Sequence, residues 1–229
     1  PGFYPTAEGN SPLACPLQMI VTDDFYIEYE DGVLEVLPLE TQVIRLYLYQ
    51  LQKFYDGTPL YFEDYDYEII DMPEGLELDI SLNISLTDAG QITLSEINEN
   101  LDDFVSYRVY KHGVEITENC VIIFDTFDYG DPSYVPIRVD RRPITVTTAS
   151  ETKVEDGKPL ENGNYTITVG TLVEGHILSV EVVGFIDVVG SDFNNIENIT
   201  LTAPDGTDVI ENYDITVVLG ELTIISKYD

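Results

Sequence analysis

Acid–base chemistry has few starting points in this sequence, because His112 and His176 are its only imidazoles. Each lies against a glycine, in His112-Gly113 and Gly175-His176, and so reads as part of a turn. A nucleophilic triad needs a convergent partner and an orienting acid, which nothing here positions. With no glycine-rich phosphate loop and no paired Cys/His metal spacing, we expect no catalysis and no cofactor. Carboxylates are plentiful. In "FEDYDYE" Asp64, Asp66 and Glu68 alternate, which in a strand would put three on one face. In "DTFDYGDPS" Asp125, Asp128 and Asp131 surround Gly130, a loop that could wrap a Ca²⁺ ion with its six to eight oxygens. A chain this acidic also makes such runs by composition, as solvated surface. Lys53 and Lys153, with Asn119 and Asn212, are candidates for Lys–Asn amide cross-links. The plainer reading of each lysine is a solvated side chain lying over apolar surface. Finally, the tyrosines of "YLYQLQKFYDGTPLYFEDYDYE" could offer rings beside carboxylates to a sugar, or simply pack half-buried on a sheet.

The paired lysines and asparagines point to the elements that carry them. "KFYDGTPL" from Lys53 returns as "KVEDGKPL" from Lys153, and the offset of 100 also relates Glu74-Gly75 to Glu174-Gly175, Gly90 to Gly190, Asn98 to Asn198 and Leu101 to Leu201. Beyond that, "HGVEITENCVII" from His112 matches "DGTDVIENYDIT" from Asp205 at an offset of 93, so the first copy is seven residues longer, an expected loop insertion. "DDFYIEYEDGVLEVL" from Asp23 resembles "NYDITVVLGELTII" from Asn212. The chain therefore divides into residues 1–37, either the closing strands of a partial unit or an N-terminal extension, then a first unit over 38–140 and a second over 141–229.

Period two dominates both units. Leu78, Ile80 and Leu82 in one, and Leu178, Val180 and Val182 in the other, point one way while polar residues point the other. "YDITVVLGELTIIS" reads as two strands joined at Gly220. In the repeated stretch Asp56 and Asp156 can bond their own backbone, Gly57 and Gly157 can take positive φ, and Pro59 and Pro159 fix φ, making a corner between strands. Only "LSEINENLDDF" has helical spacing. An all-β or nearly all-β fold follows, as tandem β-sandwich-like units, with β-grasp-like units as the alternative.

Ten basic against 43 acidic residues give a net charge of −33, which repels nucleic acid and anionic lipid. With 16 Tyr and 9 Phe the chain still has the material for a core. No apolar run approaches a membrane span and no leader opens the chain. Cys15 and Cys120 read as two unpaired thiols, or as one bridge in an oxidising compartment.

The order "PITVTT…KVEDGKPL…NGNYTITVG…VEGHILSVEV…DVVGS…DGTDVIENYDITVVLGELTI" resembles the tandem MBG or YDG-type repeats of large bacterial cell-surface proteins. The resemblance covers nearly all of Pro143 to Ser226, and the first unit keeps Tyr55-Asp56-Gly57 where the second has Glu155-Asp156-Gly157. The acidic, Tyr-rich first unit departs most. The resemblance implies an extracellular, β-rich, adhesin-like or structural module of Gram-positive bacteria, strung between a secretion signal and a wall anchor that would lie outside this fragment. Its expected partners are neighbouring repeats, or a host glycan or mucin, with no catalytic residues.

Overall fold

A computed structural model describes the backbone of residues 25–30 and 33–38, and residues 40–127, 131 and 133–228 in full. The alternating segments are strands. β1 (Phe25–Glu30) and β2 (Val33–Pro38) are followed by β3 (Gln42–Leu48), β4 (Leu51–Phe54), β5 (Leu60–Tyr61), β6 (Tyr67–Asp71), β7 (Leu76–Leu82), β8 (Ser85–Leu86) and β9 (Gly90–Ile92). Two short helices, α1 (Leu94–Glu99) and α2 (Leu101–Phe104), precede β10 (Val105–Lys111), β11 (Val114–Glu115), β12 (Cys120–Phe124) and β13 (Ile137–Asp140). The second segment holds β14 (Arg142–Thr148), β15 (Glu151–Val154), β16 (Leu160–Glu161), β17 (Tyr165–Val169), β18 (Ile177–Val182), β19 (Phe185–Ile186), β20 (Gly190–Phe193), β21 (Ile196–Thr202), β22 (Tyr213–Val218) and β23 (Glu221–Ile225). The fold is all-β, in sheets of at most three strands among the described residues.

Strand pairing is the same in both segments except that β10 also pairs with β11, where the second segment has a single bridge, Thr202 to Asp208. β3 pairs antiparallel with β6 and parallel with β12, as β14 does with β17 and β22. Ile44 faces Ile122 in one ladder and Ile144 faces Ile215 in the other. β13 lies between β4, parallel, and β9, antiparallel, as β23 lies between β15 and β20. β7 pairs with β10 as β18 does with β21, and β5 with β8 as β16 does with β19. The alternation has its expected cause: on β3 Ile44, Leu46 and Leu48 are buried, and on β14 Ile144, Val146 and Thr148.

Two details differ from the sequence reading. Leu78 pairs with Val109 and Leu178 with Leu201, so Val109, rather than Leu101, stands where Leu201 does. The extra residues of the first segment therefore lie between β9 and β10, and they are α1 and α2 rather than a loop. Leu94 and Ile97 of α1 are buried, and this apolar stripe is what folds the insertion into helix. The likeness of Asn98 to Asn198 and of Leu101 to Leu201 is one of letters only. In addition, β1 and β2 pair with each other, Phe25 with Pro38 through Glu30 with Val33, whereas β22 and β23 each pair with other strands. Gly32, matched to Gly220 in sequence, lies outside the described residues.

The chain forms two compact units whose limits are not those of the serial segments. One gathers the described residues up to Tyr49 with Phe62–Ile84 and the described residues of Leu94–Tyr134. Its buried residues include Ile44, Leu46, Ile97, Val109, Ile122 and Phe124. The other gathers Gln50–Tyr61, Ser85–Thr93 and everything from Val135. Strands β4, β5, β8, β9 and β13 of the first segment thus fold with the whole of the second.

Candidate functional site

The repeated stretch is a lysine-clamped corner. Lys53 Nζ donates to Asp56 Oδ1 at 2.6 Å and to Thr58 O and Thr58 Oγ1, both at 2.7 Å. Lys153 Nζ donates to Asp156 Oδ1 and Lys158 O at 2.7 Å and to Pro159 O at 3.0 Å. The same aspartate oxygens accept the amides two residues on, of Thr58 at 2.9 Å and Lys158 at 3.0 Å. Gly57 and Gly157 supply the positive φ, +78° and +76°. An ammonium has three donors, and each lysine uses all three in its own corner. The hydrogen bonds that hold the two candidate cross-link lysines are thus all made within five or six residues of the lysine itself. The Lys53 ammonium, with the Thr58 hydroxyl and amide, holds the Asp56 carboxyl at about 2, and Lys153 likewise lowers Asp156.

Asn212 has another role. Its side chain is buried, with Oδ1 accepting the Ala89 amide at 2.7 Å and Nδ2 donating to Asp88 Oδ1 at 2.8 Å. Beside it Tyr55, Val139, Ile144, Val146, Leu201, Val209 and Tyr213 form one core, against which Leu60 and Leu86 also pack. The Tyr55 ring sits 5.7 Å from that of Tyr213, nearly perpendicular, and 6.0 Å from His176. Tyr213 Oη accepts the Val173 amide at 3.0 Å and lies 2.9 Å from His176 Nδ1. His176 follows a turn, as expected, but its ring is half-buried in this cluster; His112 sits in a turn with φ of 51°. Cys120 is a buried free thiol whose pKa burial pushes up, while Cys15 lies outside the described residues.

The compact unit containing α1 carries an aromatic cluster. Tyr47 lies 4.3 Å from Phe127, 5.7 Å from Tyr134 and 5.6 Å from Tyr49, ring centre to ring centre. Tyr134 Oη donates to Leu48 O at 3.0 Å and is 2.9 Å from Tyr47 Oη. Burial, then the Tyr47 hydroxyl, raises the Tyr134 pKa. Tyr49 Oη donates to Glu68 Oε2 at 3.2 Å, which raises the Tyr49 pKa. Phe127 is 51% exposed and Tyr49 42%. The three-carboxylate strand face does not form, because Asp64 and Asp66 lie in a turn, Asp66 Oδ2 capping the Glu63 amide, and only Glu68 is in β6.

Of the candidate Ca²⁺ residues, Asp125 and Asp131 are described, and each carboxylate is engaged by neighbouring groups. Asp125 Oδ2 accepts from Arg45 Nη1 at 2.7 Å and its Oδ1 from the Thr126 amide. Asp131 Oδ1 accepts from the Ser133 amide and hydroxyl, and Asp128 lies outside the described residues. No group of three or more His, Cys, Asp or Glu placed to hold a metal occurs among the described residues. Among them, too, no helix is long and apolar enough to cross a membrane. No protein-family profile, curated protein or solved structure matches the chain.

Proposed function

We propose that the chain is a non-enzymatic extracellular module of a Gram-positive bacterial surface protein, acting as a spacer or scaffold among neighbouring units of the same kind. The observation that carries this reading is the parallel pairing of opening with closing strands. β3 with β12, β4 with β13, β14 with β22 and β15 with β23 are all parallel. Tension applied along such a ladder loads its bonds together in shear, whereas an antiparallel hairpin pulled at its ends opens one bond at a time. A tether between a cell and its surroundings needs the first behaviour. The charge of −33 suits it further by keeping neighbouring molecules apart and by repelling nucleic acid and anionic lipid. Pulling the full chain by its ends in a force spectrometer tests the reading. Discrete, high-force ruptures are expected, and gradual opening at low force would overturn it.

A second reading, a glycan- or mucin-binding module, draws on the exposed Phe127 and Tyr49 beside Glu68. On a glycan and mucin array the spacer reading gives no signal above an equally acidic control. A signal abolished by Phe127→Ala would turn the assignment to adhesion.

A further inference from the structure

Within the unit that begins at Gln50, the strand group β4, β5, β8, β9 and β13 is covered by the second segment at three places. Asn212 grips Asp88 and the Ala89 amide, Tyr213 and His176 flank Tyr55, and Val173 Cγ1 would lie 3.1 Å from a Cβ on Gly57. Arg142 Nη1 also donates to Tyr55 O at 3.3 Å. The equivalent group of the second segment, β15, β16, β19, β20 and β23, has the same pairing and a small core of its own, Leu160, Ile186, Leu222 and Ile224. Nothing among the described residues covers its matching face. There Val188 and Val189, the counterparts of Asp88 and Ala89, are 65% and 48% exposed, and Glu155 replaces Tyr55.

From this we infer that the face formed by the 155–159 corner and Val188-Val189 is a docking surface for another unit with the strand order of β14, β17, β18, β21 and β22. The inference rests on the serial-module reading above and names that module's partner. Its warrant is internal, because one such interface already exists in the chain on the equivalent strands. The replacements suit the same occupant: Val189 keeps the backbone amide that an asparagine at the Asn212 position would cap, Val188 and Val189 add apolar area, and Glu155 puts a carboxylate where the Arg142 and His176 positions of the arriving unit would meet it. The junction is short as well. β13 ends at Asp140 and β14 begins at Arg142, so a covering unit follows its support after one residue. Ile225, paired with Val154 as Asp140 is with Phe54, marks the equivalent point.

The test is a chain in which residues 141–229 are placed a second time directly after Ile225, compared with the original by hydrogen exchange. Amides at 155–157 and 188–190 should exchange at least about tenfold more slowly in the extended chain, while those at 88–90 stay unchanged. Val189→Asp in the extended chain should remove that protection and leave the original chain's exchange elsewhere as it was. Unchanged exchange at 188–190 beside a folded third unit overturns the docking surface, and so does a third unit that fails to fold there, since the same residues fold on the equivalent face. Neither result bears on shear-loaded unfolding of the original chain, so the spacer reading stands or falls separately.

Discussion

Four equivalent positions show one chain path filled in two ways. The first segment carries Leu48, Phe62, Ile84 and Leu94, all buried, where the second carries Thr148, Asn162, Gly184 and Asn194. The apolar set is held by area removed from water, which has no direction. The polar set is held by bonds, which do. Thr148 Oγ1 donates to Asn194 O and accepts the Gly220 amide, both at 2.8 Å, and Asn194 Nδ2 donates to Ala149 O at 2.9 Å and Asn162 O at 2.8 Å. Asn194 Oδ1 is buried without a hydrogen-bond partner and lies against Gly184, whose bare Cα leaves it room. The first filling tolerates graded change and supports a helix starting at Leu94; the second admits few substitutions because its polar side-chain atoms, Asn194 Oδ1 excepted, each have an assigned partner.

The contrast is broken most sharply at Gly184. A Cβ there would stand 2.0 Å from Asn194 Oδ1 and 2.4 Å from Asn194 Cα, and backbone cannot step aside. Gly184→Ala should cost about 3 kcal/mol or more in urea denaturation. A loss under about 1 kcal/mol would mean that the polar filling is as forgiving as the apolar one. Next in size is Asn194→Leu, which imports the first segment's residue but strips the Ala149 and Asn162 carbonyls of their donor. We expect a loss of about 2 kcal/mol, and a neutral result would show that directionality matters little here. Ile84→Val removes one methylene from the apolar set and should cost about 1 kcal/mol.

The smallest effect belongs to the clamp that both segments share. Asp56, at about 2 in the fold against about 3.9 unfolded, contributes stability that is complete above pH 4 and lost as pH falls through 2. Its side chain is 46% exposed, so solvent screening keeps the contribution below about 1 kcal/mol. Lys53→Met should lower stability at pH 7 by less than about 1 kcal/mol and flatten the profile between pH 4 and 2, so that the variant and the original chain converge as pH approaches 2.

Much of this was legible in the sequence, and what was not has a physical cause. Alternation gave the half-buried faces of β7 and β18, and Asp-Gly-x-Pro gave both corners, because these are local properties of a strand and a turn. Periodicity tells which face is buried but not which strand lies alongside, so the parallel pairing of β4 with β13, more than 80 residues on, left no trace in it. Offset matching misplaced the helical insertion because Asn98 and Leu101 happen to repeat in a polar stretch. At the corner the lysines stood out by position, yet their partners are two backbone carbonyls and a hydroxyl, which no residue spacing reveals. The candidate cross-link and Ca²⁺ residues rest on type and spacing alone, whereas the bonds of Lys53, Lys153, Asn212, Asp125 and Asp131 are to near neighbours and partner strands that spacing does not show.

The central claim is that successive segments share a core, β4, β5, β8, β9 and β13 of one folding with β14, β17, β18, β21 and β22 of the next. Native-state hydrogen exchange across a denaturant series addresses it directly. Amides of β13 in the first segment and of β14 and β21 in the second should merge onto a single opening free energy. Separate opening of β13 while β14 and β21 stay protected would contradict it.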